Sequence, residues 1–231
     1  MFLIRKSPIC PCQLARNRQV ADFDALFDAL DQELKNLRAK FLDGFLPANP
    51  EDAPEDFEYE VKSFSILSHA AFEEYVEAIS ESVMNKIEKD LLEKKTTLST
   101  ACFLVAYGIK IEYPEKDDAE DTSCFDHVRT AVGKAKALHS TTLKDNHGFA
   151  AKYLRRLLIP VGINMPRGPQ MESLKKLAEA RGSFAHEMAK LAKYGAYKRA
   201  KRPLTPEEVA EAAEDCRAIC DDLRTRAKAI W

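Results

Sequence analysis

Apolar residues recur at three- and four-residue steps along most of the chain, and no stretch sustains the two-residue alternation of a half-buried strand. Phe23, Leu26, Phe27, Leu30, Leu34, Leu37 and Phe41 form one stripe, which predicts a helix from Asp22 that ends near Gly44. Pro47, Pro50 and Pro54, set among acidic residues, make a linker. Val61, Phe64, Leu67, Ala71, Tyr75, Ile79, Val83, Ile87 and Leu91 share a face and predict the longest helix, from about Phe57 to Leu92. Thr97 to Ile109 predicts a shorter helix that is apolar nearly all round and is therefore expected at the centre of the fold. An acidic loop follows, from Tyr113 to Asp121. Helices are then predicted over about Ser123 to Leu143 and Gly148 to Leu158, the second stopped by Pro160. The turn Pro166-Arg167-Gly168-Pro169 leads into a helix bearing Met171, Leu174, Leu177, Phe184, Met188 and Leu191. Thr205, Pro206 and Glu208 spell a capping box with proline at the first helical position. They open a last helix that continues through Val209, Cys216, Cys220, Leu223 and Ile230.

The fold class that follows is all-α, a bundle of about six to seven helices with an up-and-down core. Ser7-Pro8 and Cys10-Pro11 disfavour helix near the start, so residues 1–20 read as an extension and 21–231 as one helical domain. A chain of 231 residues with 45% hydrophobic and 31% charged residues can bury a full core. The longest apolar run, Ala101 to Ile109, is far shorter than the roughly 18 residues a spanning helix needs. Met1 to Ile4 followed by Arg5 and Lys6 does not make a signal peptide, so a cytoplasmic protein with no membrane partner is expected. The cysteines are Cys10, Cys12, Cys102, Cys124, Cys216 and Cys220. They include no Cys-x-x-Cys pair of the kind that builds a zinc site, and no disulfide framework is expected. Cys216 and Cys220, four apart on an apolar helix face, read as small core residues.

The net charge of −2 conceals an asymmetry. Residues 21–60 hold 12 acids and 3 bases, whereas residues 144–202 hold 14 Lys and Arg and 4 acids. A segment that basic suits a polyanionic partner, of which a phosphate backbone is the commonest; the alternative is two solvated faces attracting each other within one domain or across a dimer.

The usual enzyme signatures are missing: there is no phosphate-cradling glycine loop, no Gly-x-Ser-x-Gly and no His-Glu-x-x-His. The histidines are His69, His127, His139, His147 and His186, and no two stand three or four apart, so neither a metal nor another cofactor is expected. Arg181 and His186 form an Arg-x4-His pair within Leu174 to His186 (LKKLAEARGSFAH). Upstream stand Tyr153 to Ile163 (YLRRLLIPVGI) and, in the long helix, Leu67 to Val76 (LSHAAFEEYV). Over roughly residues 57–200 this order of helices and motif resembles the HEPN superfamily, and within it the RiboL-PSP-HEPN branch.

The resemblance implies a dimeric helical bundle in which two Arg-x4–6-His motifs meet at the two-fold interface and line one cleft. It implies metal-independent RNA cutting, in many members as a toxin or in antiviral defence, with an antitoxin or defence-system protein as a further partner. Other members have lost catalysis and serve as RNA- or protein-binding modules. On this basis Arg181 and His186 are the candidate catalytic residues. An imidazole can move protons near neutral pH, and a guanidinium can hold two phosphate oxygens at once. Five helical residues turn by about 140° and advance about 7.5 Å, so the pair does not stack on one face. A long arginine side chain, a bend at Gly182 or the second subunit's copy could close the gap. The sequence departs from the family pattern in two places. Gly182 follows the arginine where Asn, Asp or His is usual, and Glu187 follows the histidine where Gly is frequent.

Ser183, Glu187, His69 and Glu73 are the supporting candidates. His69 and Glu73 lie one turn apart on the long helix, either adding polar groups to the cleft or forming a plain surface pair. Lys193, Tyr194, Tyr197, Lys198, Arg199, Lys201 and Arg202 interleave bases with aromatics. That pattern suits single-stranded RNA, with rings stacking on bases and cations tracking phosphates, or else a solvated helix end.

Overall fold

The computed structural model describes residues 22–47, 49, 53–112, 123–181 and 204–231. Among these there are seven α-helices and no strand: α1 (Phe23–Phe41), α2 (Pro54–Leu92), α3 (Leu98–Ala106), α4 (Cys124–Lys144), α5 (Ala151–Leu158), α6 (170–181) and α7 (Pro206–Lys228), with a short 3-10 turn at Asp43–Phe45. No helix among the described residues is long and apolar enough to cross a membrane.

Helix α2 is the axis of the molecule. Its 39 residues span about 58 Å at the α-helical rise. It starts at Pro54, earlier than the apolar stripe predicts, because proline suits the first helical position and the Ala53 N–H donates to Asp56 Oδ2 at 3.1 Å. Helices α1 and α7 pack along one side of α2 and against each other; α4 and α5 pack on another, and α3 lies against α4. A helix covered on several sides buries more than one stripe, which explains its buried serines. Ser65 and Ser68 turn their hydroxyls back to the carbonyls of Val61 and Phe64, at 2.7 and 2.6 Å. One apolar core takes side chains from all seven helices, among them Phe27, Ile79, Phe103, Ala135, Leu157, Leu177 and Leu223. Cys216 and Cys220 are wholly buried in it, and the Tyr75 hydroxyl donates to the Cys220 carbonyl at 3.1 Å, joining α2 to α7.

Helix α3 corrects the sequence reading. It was expected at the centre, yet Leu98 and Val105 are each 80% exposed, and only Ser99, Thr100 and Phe103 are buried. A helix of nine residues at the periphery needs only one inward face, and Phe103 supplies it by packing edge-on against Tyr107 and His139.

Three helices end in the same C-terminal motif. After α2, α3 and α5, Lys94, Gly108 and Gly162 take positive φ values of 58°, 62° and 85°. In each case the next residue donates to a carbonyl five back: Lys95 to Asp90, Ile109 to Leu104, and Ile163 to Leu158. Gly162 is the tightest of the three. A Cβ there would come within 2.5 Å of Ser99 Oγ and 3.2 Å of Ser99 Cα, backbone that cannot move aside cheaply. Gly162→Ala is therefore expected to destabilise the fold by about 2 kcal/mol, read as a lower midpoint in urea unfolding, because strain and crowding act together.

A buried polar chain crosses from α3 to α5. The Tyr107 hydroxyl lies 2.6 Å from His139 Nδ1, Ser80 Oγ lies 2.8 Å from His139 Nε2, and the Ser80 hydroxyl donates to the Leu157 carbonyl at 2.8 Å. Since the Ser80 proton is committed to Leu157, His139 Nε2 donates to Ser80 and Nδ1 accepts from Tyr107. This pattern fixes a neutral imidazole, and burial lowers the His139 pKa from 6.5 to about 4.

Candidate functional site

Helix α6 carries Arg181. Its register is set by Leu174 and Leu177, both buried in the core, and by Ser173, whose hydroxyl donates to Asp215 of α7 at 2.5 Å. Arg181 stands seven residues after Leu174, about 20° from it around the helix, so it continues the inward stripe instead of facing away. At the end of that stripe its Nη1 donates to the His147 carbonyl at 3.2 Å and lies 3.6 Å from Glu73 Oε2, while 40% of the side chain stays exposed. The guanidinium is thus held from below and open above.

Helix α2 supplies the floor. His69, Glu73 and Glu77 stand at successive four-residue steps, one turn apart. His69 is 2% exposed. Its Nε2 accepts the Phe149 N–H at 3.4 Å, so the ring proton sits on Nδ1, which lies 3.8 Å from Glu73 Oε2 and makes no hydrogen bond. Burial, and then the nearby Arg181 charge, lower the His69 pKa to about 4. Glu73 is half-buried. Burial pushes its pKa up against the downward pull of Arg181 and His147. Glu77 is also pushed up, first by burial and further by the Glu73 and Glu74 charges, although a hydrogen bond from Asn146 opposes this.

The third side is the segment between α4 and α5. Asn146, buried, donates to Glu77 Oε1 at 2.7 Å and is 3.4 Å from the Gly148 carbonyl. Phe149, wholly buried, stacks on Phe72 of α2 with ring centroids 5.1 Å apart. Gly148 is needed between them, since a Cβ would meet the Tyr153 ring at 2.9 Å. The residues on either side are therefore fixed, while His147 between them is exposed.

The structure brings three of the sequence candidates together: Arg181, Glu73 and His69. The alternative of a surface pair for His69 and Glu73 is corrected, because His69 is in the core and its backbone partner lies on another segment. His186, Ser183, Glu187, Lys193, Tyr194, Tyr197, Lys198, Arg199, Lys201 and Arg202 lie outside the described residues. Glu77, Asn146 and His147 were not anticipated. Glu77 had a signal in its four-residue step from Glu73; for Asn146 and His147 no linear spacing points to residue 181. Among the described residues no three His, Cys, Asp or Glu side chains are gathered as a metal site.

A family model described as RiboL-PSP-HEPN matches residues 29–229. The chain belongs to the RiboL-PSP-HEPN family. The match takes in every helix except the first turn or so of α1, and it agrees with the all-helical architecture and with the resemblance seen in the sequence. No curated protein and no solved structure matches the chain. In this RiboL-PSP-HEPN chain the described part of the candidate site is thus a half-exposed arginine at the edge of the core, backed by a half-buried glutamate and flanked by a loop histidine.

Proposed function

We propose that this protein is a metal-independent endoribonuclease of HEPN type, working as a homodimer in a toxin or antiviral-defence role. Arg181 grips the scissile phosphate, and His186 transfers the proton of the attacking 2′-hydroxyl. The observation that carries the reading is the state of Arg181. A permanent cation is locked at its base by Glu73 and the His147 carbonyl, yet keeps 40% of its side chain open to an external anion. An arginine that stabilises a phosphorane must be fixed in place with donors to spare, and Arg181 meets both conditions. The excess of 14 bases over 4 acids in residues 144–202 gives RNA a reason to approach.

In the proposed reaction the 2′-oxygen attacks the adjacent phosphorus and the bond to the 5′-oxygen breaks, leaving a 2′,3′-cyclic phosphate and a 5′-hydroxyl. End-labelled RNA incubated with the protein in EDTA should yield 2′,3′-cyclic phosphate ends, and His186→Ala should abolish them. RNA retained without cutting by the unaltered protein would instead identify a catalytically silent RNA-binding module. A protein that neither cuts nor retains RNA would remove the reading.

A further inference from the structure

We propose that the outward face of α5 is a binding surface for the phosphate backbone of an RNA strand, with Lys152, Arg155 and Arg156 as its contacts. The assignment rests on the reading above that RNA is the partner, and adds to it the path the strand takes away from Arg181.

Helix α5 has two faces. Leu154, Leu157 and Leu158 are buried and hold it to the core, while Lys152, Arg155 and Arg156 are exposed. The three bases stand at positions i, i+3 and i+4, so they share one side of the helix. Like charges at that spacing destabilise a helix, and the chain nearby does not offset them: no Asp or Glu occurs between Asp145 and Glu172. The first turn of α5, where the helix dipole favours an acid, has none.

Many surface bases elsewhere in this protein are matched by acids. Lys35 meets Asp31 at 2.6 Å, Arg129 meets Asp126 at 2.9 Å, Lys134 meets Glu112 at 3.1 Å, and Arg226 meets Asp222 at 2.8 Å. Among the described residues no acid pairs with Lys152, Arg155 or Arg156; Lys152 Nζ lies 4.6 Å from the centroid of the Tyr153 ring, which leaves its charge uncompensated. Glu73 and Glu77 of α2, the helix that α5 packs against, face Arg181 and Asn146 instead.

Three uncompensated positive charges on one rigid face suit a polyanion, and the placement of α5 favours RNA among polyanions. The helix begins four residues after His147, whose carbonyl holds the Arg181 guanidinium at 3.2 Å. The connection is fixed, because Phe149 within it is wholly buried and its N–H is bonded to His69. Five residues reach at most about 18 Å, so Lys152 lies within that distance of the residue that holds Arg181. One strand can therefore engage both the arginine and the α5 face.

The test is the binding of a single-stranded 2′-O-methyl RNA to the full-length protein over a series of salt concentrations. This oligonucleotide has no 2′-hydroxyl to attack and stays whole. The combined substitutions Lys152→Gln, Arg155→Gln and Arg156→Gln are compared with Lys35→Gln, Arg38→Gln and Lys40→Gln, which remove the same charge from α1 on a different side of α2. A single-strand phosphate contact contributes about 0.7 to the slope of the logarithm of affinity against that of salt. The α5 variant should therefore lose about 2 from that slope and bind about a hundred-fold more weakly at about 0.1 M salt, while the α1 variant stays within a few-fold of the unaltered protein. Arg155→Lys with Arg156→Lys keeps the charge and should keep most of the affinity, which separates lost phosphate contacts from a damaged fold. An α5 variant with unchanged slope and affinity overturns the assignment alone. So does an equal loss in the two triple variants, since that marks a general effect of charge. An unaltered protein that binds neither this oligonucleotide nor ordinary RNA overturns the RNA reading as well; vesicles of acidic phospholipid, held by that protein and released by the α5 substitutions, would then show the face to be a membrane contact.

Discussion

Arg181→Ala is expected to slow single-turnover RNA cutting by about a hundred- to a thousand-fold, the usual loss when one preorganised donor to a developing oxyanion is removed. Arg181→Lys should recover little of it. The guanidinium is a planar fork that spends one nitrogen on the His147 carbonyl and leans on Glu73 while turning its remaining N–H groups outward. An ammonium has one point of charge and cannot meet the internal carbonyl and an external phosphate with fixed geometry. The same substitution carries an internal marker. Arg181 is one of the two causes that lower the His69 pKa, whereas burial alone lowers that of His139. In Arg181→Ala the His69 titration, followed by proton NMR, should move upward while His139 stays near 4. Cutting within a few-fold of the unaltered rate would exclude Arg181 from the phosphate grip. An unmoved His69 would mean that the guanidinium charge does not reach the His69 ring.

How much of this could be read from the chain depended on whether neighbours in space were also neighbours on a helix. The helical architecture was legible because each helix states its own period: the capping box at Thr205 to Glu208 and the stripe from Phe23 to Phe41 appear in the structure where the residues put them. Helix α3 departs from its sequence pattern because apolar content does not measure depth. Leu98 and Val105 are exposed although nothing in their sequence distinguishes them from core residues. In the candidate site, His69 and Glu73 could be paired by their spacing, and Glu77 was one step further along the same face. Arg181 also carried an unread signal, a charge seven residues along the inward stripe from Leu174, which marks a side chain at the boundary of core and solvent. His147 was beyond reach. It meets Arg181 through a main-chain carbonyl across 34 residues, a contact that depends on how α4, α5 and α6 pack and leaves no trace in side-chain type.

Acid should unfold this protein earlier than its carboxylates alone would dictate. His69 and His139 are buried neutral, each with its pKa lowered from 6.5 to about 4. In the unfolded chain each binds a proton once the pH falls below 6.5; in the folded chain neither does until about 4. The stability held by the neutral forms is therefore complete above pH 6.5 and is lost progressively as the pH falls through 6.5 towards 4. At pH 5 the loss amounts to about 2 kcal/mol for each histidine, or about 4 kcal/mol together, set against a typical total of 5–15 kcal/mol. Glu73 and Glu77 work the other way, since their raised pKa values let the folded state take up protons first as acid is added. They soften the decline without reversing it, because their burial leaves them partly open to solvent while His139 is wholly enclosed. Urea unfolding at pH 7.5 and pH 5 should show the loss. The His139 and His69 ring signals should remain those of neutral imidazole down to about pH 4. A stability that is flat between pH 7 and 5 would require that both rings be charged in the folded protein. The hydrogen bonds from Tyr107 to His139 Nδ1 and from the Phe149 N–H to His69 Nε2 would then have to be absent, because a charged ring has no nitrogen left to accept them.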